Sequence, residues 1–260
     1  MKLKLGVVAS AAFLALTVGS PIQAREFSNL YVFGDSLSDV GTFAGAIGAP
    51  ALVSKFTTNP DTIWAQNLAA RYGLSSSGVW STTFNGTAGT YTANTTGNNF
   101  AIGGARADLK PGVLRDPLLP MAATLPSVSD QVASFLARGA ADGNALYAVW
   151  AGANDVFTQA GAVGGGLAPA TAVANMQTAA AKTVEQVTKL RNAGARNLIV
   201  MGVPSIGSTP YGTSQGAAAA ALLDNLVNTY NATLKAGLAG SGVLYMDAAA
   251  AVANVMANPA

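Results

Sequence analysis

Short apolar runs alternate with longer helical patterns along most of the chain. Five runs rich in apolar and β-branched residues predict strands, at Asn29–Phe33, Asn99–Ile102, Leu146–Trp150, Asn197–Met201 and Val243–Met246. Apolar residues at helical spacing predict helices from Asn59-Pro60-Asp61 to Gly73, over Ser127–Ala137, over Ala170–Ala193, over Gln215–Lys235 and from Ala248 to Met256. Residues 75–98 are rich in Ser, Thr, Gly and Asn, which favours an irregular insertion or a short hairpin.

The order of these elements predicts one α/β domain. Strands that alternate with helices pair in parallel through right-handed crossovers. Near-continuous apolar strands are typical of a sheet that is covered on both faces. We therefore expect a three-layer α/β/α sandwich with about five parallel strands.

Residues 1–24 have the pattern of a secretory signal peptide. Lys2 and Lys4 precede a long apolar run, and Ala24 offers a small residue for cleavage. A membrane anchor is the alternative, but the run is shorter than the ~20 residues that a helical span needs. We expect an exported protein that is periplasmic, at the cell surface or extracellular, with no later membrane-spanning segment.

Charge and composition exclude several kinds of chemistry. Without Lys2 and Lys4 the 14 Lys and Arg fall to 12, equal to the 12 Asp and Glu, so no basic surface predicts a nucleic-acid partner. The chain has no Cys and no His, which excludes disulfides, thiol nucleophiles and zinc sites built from Cys or His. A complete Ser-His-Asp triad cannot be assembled from these 260 residues.

Three polar turns that contain glycine follow the first three predicted strands. They are Gly34–Asp39, Gly103–Arg106 and Gly152–Asp155. Open parallel sheets bind ligands at the carboxyl ends of their strands, so we expect the three turns to meet at one edge. Each turn by itself is more typical of a bend or a helix cap, whereas their occurrence together favours a site.

Together these turns can form a site for acyl transfer. Ser36, at a strand-to-helix junction, can present its hydroxyl to a carbonyl carbon. An oxyanion needs donors about 3 Å away, and the N–H groups of Ser36 and Gly104 and the side-chain amide of Asn154 are suitable. Glycine at 104 leaves room for the bound acyl carbon, and asparagine at 154 donates without adding a charge.

The same turns resemble three sequence blocks of the GDSL, or SGNH, hydrolases. The segment 31–41 (YVFGDSLSDVG) is similar to the first block, 98–106 (NNFAIGGAR) to the second and 150–155 (WAGAND) to the third. Three blocks in order are far more specific than the tetrapeptide Gly-Asp-Ser-Leu alone. The resemblance runs from about residue 28 to the C-terminus, and its detail is similar to secreted and autotransporter esterases of Gram-negative bacteria.

The resemblance implies a flavodoxin-like fold and esterase or lipase activity on small-molecule or lipid carboxylic esters, with no cofactor and no metal. By position, Ser36 is the nucleophile and an oxyanion donor, and Gly104 and Asn154 are the other oxyanion donors. The resemblance leaves open whether an outer-membrane barrel follows in a longer form. It does not specify the natural substrate, the acyl length or the oligomeric state.

One block of the family has no counterpart in the sequence. The family's base and its orienting acid come from Asp-x-x-His, which lies beyond a segment like Asp247–Ala260. The resemblance therefore implies that residues 25–260 form an incomplete hydrolase domain with weak activity or none. Asp247 is a candidate substitute base, although a helix cap is the preferred interpretation. Glu185 and Lys189 are expected to form an exposed i,i+4 pair.

Two other functions fit parts of the pattern. A secreted, non-catalytic binding protein on the same scaffold could use the aromatic residues of the insertion 75–98 to contact saccharide or a surface partner. A nucleotide-binding flavodoxin-like domain is disfavoured, because the first turn lacks a glycine-rich phosphate cradle.

Overall fold

A computed structural model describes residues 27–48, 55–56 and 62–258. The predicted signal peptide, 1–24, and the predicted helix start at Asn59-Pro60-Asp61 lie outside these residues. The described residues form six strands: Leu30–Gly34 (β1), Trp80–Phe84 (β2), Gly89–Ala93 (β3), Leu146–Trp150 (β4), Asn197–Met201 (β5) and Leu244–Met246 (β6). They also form seven α-helices: Trp64–Arg71 (α1), Val128–Leu136 (α2), Ala153–Gly164 (α3), Pro169–Asn192 (α4), Pro210–Ser214 (α5), Ala217–Gly237 (α6) and Ala248–Ala257 (α7).

The central sheet is parallel, with the strand order β1-β4-β5-β6. The predicted strand Asn99–Ile102 runs along the other side of β1, joined by one parallel bridge between Val32 and Asn99. There the N–H of Phe100 donates to the Val32 carbonyl at 2.7 Å and that of Ile102 to the Gly34 carbonyl at 3.1 Å. The expectation of about five strands is thus met by four full strands and one segment too short for a ladder.

Alternate residues of each strand face opposite layers. Phe33 of β1 and Tyr147 and Val149 of β4 are buried against α2, α3, α4 and α6. Leu30 and Val32 of β1 face the opposite core, which contains residues of α1. Both faces of the sheet are therefore apolar, and the predicted three-layer α/β/α sandwich is confirmed.

The α1 face is open at β6. Leu244 and Met246 are 61% and 44% exposed, and they pair with Ile199 and Met201 on that face. Most of α7, the helix that follows, is exposed as well. This end of the sheet is covered on one face only within the described residues.

The structure decides between the two alternatives for one segment and corrects the element prediction for another. Residues 75–98 contain a hairpin, since β2 and β3 pair antiparallel. Sequence analysis missed α3 because Gly161 and Gly164 lower its helix propensity, whereas packing against α4 and α6 stabilises it. In the part of the chain that the structure describes, no helix has the length and apolarity of a membrane span.

Candidate active site

Ser36 lies in a tight turn directly after β1. The N–H of Ser38 donates to the Asp35 carbonyl at 3.0 Å, and the N–H of Leu37 donates to the Asp35 carboxylate at 3.1 Å. The predicted strand-to-helix junction at Ser36 is wrong, because these bonds form a turn and helical backbone begins only at Thr42, in a 3-10 turn. The Ser36 side chain is half-buried, and its hydroxyl forms no hydrogen bond with any described residue.

Asp39 and Asn99 join the first turn to the second. The Asp39 carboxylate accepts the N–H of Thr42 at 2.8 Å and the N–H of Gly103 at 2.7 Å. The Asn99 side chain donates to the Ser38 carbonyl at 2.9 Å. Both side chains are buried, so the two turns are held together by polar contacts that water does not reach.

Gly104 has a left-handed backbone, with φ +83°. A Cβ atom there would collide with the carbonyl oxygen of Val113 and lie 3.1 Å from Leu114 Cδ2. The N–H of Val113 in turn donates to the Gly104 carbonyl at 2.8 Å. Glycine is thus required by the backbone geometry itself, and its own N–H has no acceptor among the described residues.

Asn154 and Asp155 join the third turn to the second. Asn154 is buried in the first turn of α3, and its Nδ2 donates to the Ala105 carbonyl at 2.9 Å. Because Nδ2 carries two hydrogens, one remains for a ligand. Asp155 accepts from Arg106 Nε at 3.1 Å and from the N–H of Ala107 at 2.8 Å. The structure therefore brings all three predicted turns together at the carboxyl ends of neighbouring chain segments.

Three buried carboxyl groups belong to these turns. Burial raises the pKa of Asp35 to about 7. Burial also raises the pKa of Asp39 and of Asp155, against the opposing effect of the N–H donors to each and of Arg106 beside Asp155. The residue next to Ser36 therefore changes its protonation state near neutral pH.

The alternative bases are held in structural contacts. Asp247 caps α7, since its Oδ1 accepts the N–H of Ala250 at 2.9 Å, which confirms the predicted cap. Glu185 is exposed and contacts Lys189 at 2.8 Å and Lys182 at 2.9 Å, which confirms the predicted pair. Over residues 27–48, 55–56 and 62–258, no group of three or more acidic side chains is arranged to hold a metal ion.

Gln131 is a supporting residue that sequence analysis did not identify. It is fully buried in α2, where its Oε1 accepts the N–H of Gly34 and its Nε2 donates to the Gly34 carbonyl, both at 2.9 Å. These bonds fix the backbone two residues before Ser36. The signal that could have found it is a polar residue on the helix face that also carries Val128 and Phe135.

Comparison with known proteins extends over most of the chain. Residues 30–258 match the family described as GDSL-like Lipase/Acylhydrolase. Esterase EstA of Pseudomonas aeruginosa is 30% identical over an alignment that covers 98% of this chain and 40% of EstA. Lipase 1 of Photorhabdus luminescens is 30% identical over 212 residues, which cover 80% of this chain and 27% of that lipase. The chain thus spans less than half the length of these relatives.

A solved structure shows a more distant similarity. Phospholipase A1 from Streptomyces albidoflavus NA297 has a TM-score of 0.45 and 17% identity, over 87% of this chain and 82% of that one. The sequence match over residues 30–258 is what decides the family. The chain belongs to the GDSL-like lipase/acylhydrolase family.

Proposed function

We propose that this protein hydrolyses carboxylic esters, with Ser36 as the nucleophile. The observation that supports the proposal best is the hydrogen bond from the Asn154 amide to the Ala105 carbonyl at 2.9 Å. Through this bond the Asn154 side chain contacts the residue that follows Gly104. Two of the proposed oxyanion donors, which follow different strands, therefore lie close together before any substrate binds.

The proposed reaction has two steps. Ser36 Oγ attacks the ester carbonyl carbon as its proton passes to a base, and the carbonyl oxygen becomes an oxyanion. The N–H groups of Ser36 and Gly104 and the Asn154 amide stabilise that charge. The bond to the alcohol then breaks and the alcohol takes up a proton, leaving an acyl-enzyme. Water attacks the acyl carbon, releases the acid and restores Ser36.

The proposed reaction needs an acceptor for the Ser36 proton. These 260 residues contain no His, the family's usual base, and we propose that water or a buffer base accepts the proton from Ser36. We propose that the chain by itself turns over slowly, because an oxyanion hole retains some catalysis when the triad base is missing. Imidazole in solution, the functional group of His, is expected to accelerate it.

Hydrolysis of p-nitrophenyl acetate over a series of imidazole concentrations tests this proposal. After subtraction of the protein-free rate, we expect turnover that rises with imidazole and is lost in Ser36→Ala. Asn154→Ala should lower it by about 10²-fold or more. The matched control Asn192→Ala, at the exposed end of α4, should leave it unchanged. Equal rates for the wild type and Ser36→Ala would overturn the proposal and leave a non-catalytic binding protein as the alternative.

We also propose that the protein is exported. The basic start, apolar run and Ala24 of residues 1–24 support this. Expression of the full chain in a Gram-negative host is expected to yield a periplasmic or external protein whose first residue by amino-terminal sequencing is Arg25. Recovery of the protein inside the cell with Met1 retained would contradict it.

A further inference from the structure

A cavity of about 450 Å³ lies beside Leu37, the residue that follows Ser36. Its other apolar walls are Phe56, Ile63, Trp64 and Trp150. Binding sites for small molecules have volumes of roughly 300–1,000 Å³, so this space is large enough for part of a substrate. The Phe56 side chain is 67% exposed, which leaves an aromatic ring in water where a ligand could cover it.

The two tryptophan rings of the cavity are fixed by the protein. Trp64 Nε1 donates to Ser38 Oγ at 3.3 Å, and Trp150 Nε1 donates to the Gly202 carbonyl at 3.0 Å. The rings meet edge to face, with centroids 5.9 Å apart. Each indole uses its only polar atom within the protein, so what the rings offer to the cavity is apolar surface.

The position of the cavity relates it to the nucleophile. Trp150 ends β4 opposite Gly34, and Gly34 precedes Ser36 by two residues. The cavity lies on the α1 side of the sheet, since Trp64 and Ile63 belong to that core. Asn154 lies at the start of α3, which packs on the opposite side. An ester at Ser36 that directs its carbonyl oxygen towards Asn154 therefore has the cavity available for its chain.

We propose that this cavity holds the acyl chain of the ester and favours medium-length chains, such as octanoyl, over short ones. This proposal rests on the proposed ester hydrolysis at Ser36. The acyl carbon stays bonded to Ser36 Oγ between the two steps, whereas the alcohol leaves after the first. The space directly beside Ser36 therefore suits the acyl chain, and each methylene buried there tightens binding by about fourfold.

Quenching of tryptophan fluorescence by brominated fatty acids tests the proposal without requiring turnover. The chain has three Trp, so Trp80→Phe leaves two, both in the cavity wall. We expect 8-bromooctanoate to quench them saturably, with a dissociation constant at least ~20-fold lower than that of 4-bromobutanoate. Both probes carry one carboxylate, so attraction to Lys55, which also lines the cavity, cancels in the comparison. If Trp80→Phe is unstable, the wild-type chain can be used instead. Octanoate and butanoate are then compared by how well each displaces 8-bromooctanoate and restores the fluorescence.

Leu37→Gln, which places an amide in the cavity, should weaken binding of 8-bromooctanoate by at least ~5-fold. The matched control Leu119→Gln, at a leucine that is 54% exposed elsewhere, should not change it. Equal affinity for the two probes, quenching that does not saturate, or equal effects of the two substitutions would overturn the proposal. If 8-bromooctanoate bound but no hydrolysis depended on Ser36, the proposed function would be wrong. The cavity would then be a binding site for apolar chains only.

Discussion

Asp35 is a buried carboxyl group next to Ser36, the proposed nucleophile. It is 1% exposed, and no described cation forms an ion pair with it. Burial raises its pKa to about 7, whereas an aspartate in an unfolded chain ionises near ~3.9. Between these values the unfolded chain has lost a proton that the folded chain still holds. The contribution of Asp35 to stability is therefore complete below about pH 4 and is lost as the pH rises to about 7.

Substitution of Asp35 by Asn tests this pH dependence. Asparagine has no charge to bury, and its side-chain oxygen can still accept the N–H of Leu37. We expect the free energy of unfolding of Asp35→Asn, relative to the wild type, to increase by up to about 1.4 kcal/mol per unit between pH 4 and 7. Urea denaturation at several pH values measures it.

The control for this measurement is Asp116→Asn, at an exposed carboxylate. It shows how far the loss of a carboxylate in solvent changes the free energy of unfolding by itself. A difference between Asp35→Asn and the wild type that does not vary with pH would show that the buried carboxyl does not bind its proton more tightly in the folded state.

The positions of single residues in the candidate site can be predicted from the sequence. The contacts that require these residue types can be predicted only in part. Ser36, Gly104 and Asn154 follow apolar strands, and parallel pairing brings such ends together. The collision that Gly104 avoids is with Val113, in a segment with no regular pattern, so no periodicity could have placed it. The contacts of Gln131 with Gly34 span 97 residues, a separation at which sequence spacing carries no information.

At the scale of elements, β6 is an edge strand with apolar side chains in water. Leu244 and Met246 are 61% and 44% exposed, and β6 pairs only with β5 among the described residues. Natural edge strands commonly carry charges, Lys above all, that prevent pairing with another chain. Strand β6 has none of its own.

We therefore expect the purified chain to self-associate as its concentration rises, and the double variant Leu244→Lys, Met246→Lys to stay monomeric. Size-exclusion chromatography with light scattering over a concentration series measures this. The matched control Leu109→Lys, Leu119→Lys changes two leucines that are 57% and 54% exposed but lie outside the strands. If that control prevented association equally well, net charge rather than the strand edge would be responsible.

Element prediction succeeded where packing and local pattern agree. Strands β4 and β5 have the predicted bounds, because a buried parallel strand is a continuous apolar run with clear ends. Helix α3 was missed because its glycines disfavour a helix in isolation, and only its burial against α4 and α6 compensates. For residues 75–98 the sequence leaves a hairpin and an irregular insertion open, since a Thr-rich segment is typical of both loops and strands.

At the scale of the whole molecule, the order of the strands could not be predicted. The sequence predicts parallel pairing, but the structure places β1 between Asn99–Ile102 on one side and β4 on the other. The turn that carries Ser36 therefore lies between the turns that carry Gly104 and Asn154. This is the point where the strand order reverses, at which open α/β sheets bind their ligands.

The contacts between these turns also affect how the molecule unfolds. Asp39, Asn99, Asn154 and Asp155 tie each turn to its neighbour through buried hydrogen bonds, and Gln131 ties β1 to α2. Opening any one turn would leave polar groups buried without partners, which costs about 1–3 kcal/mol for each group. We therefore expect the candidate site to open together with the sheet and not separately from it.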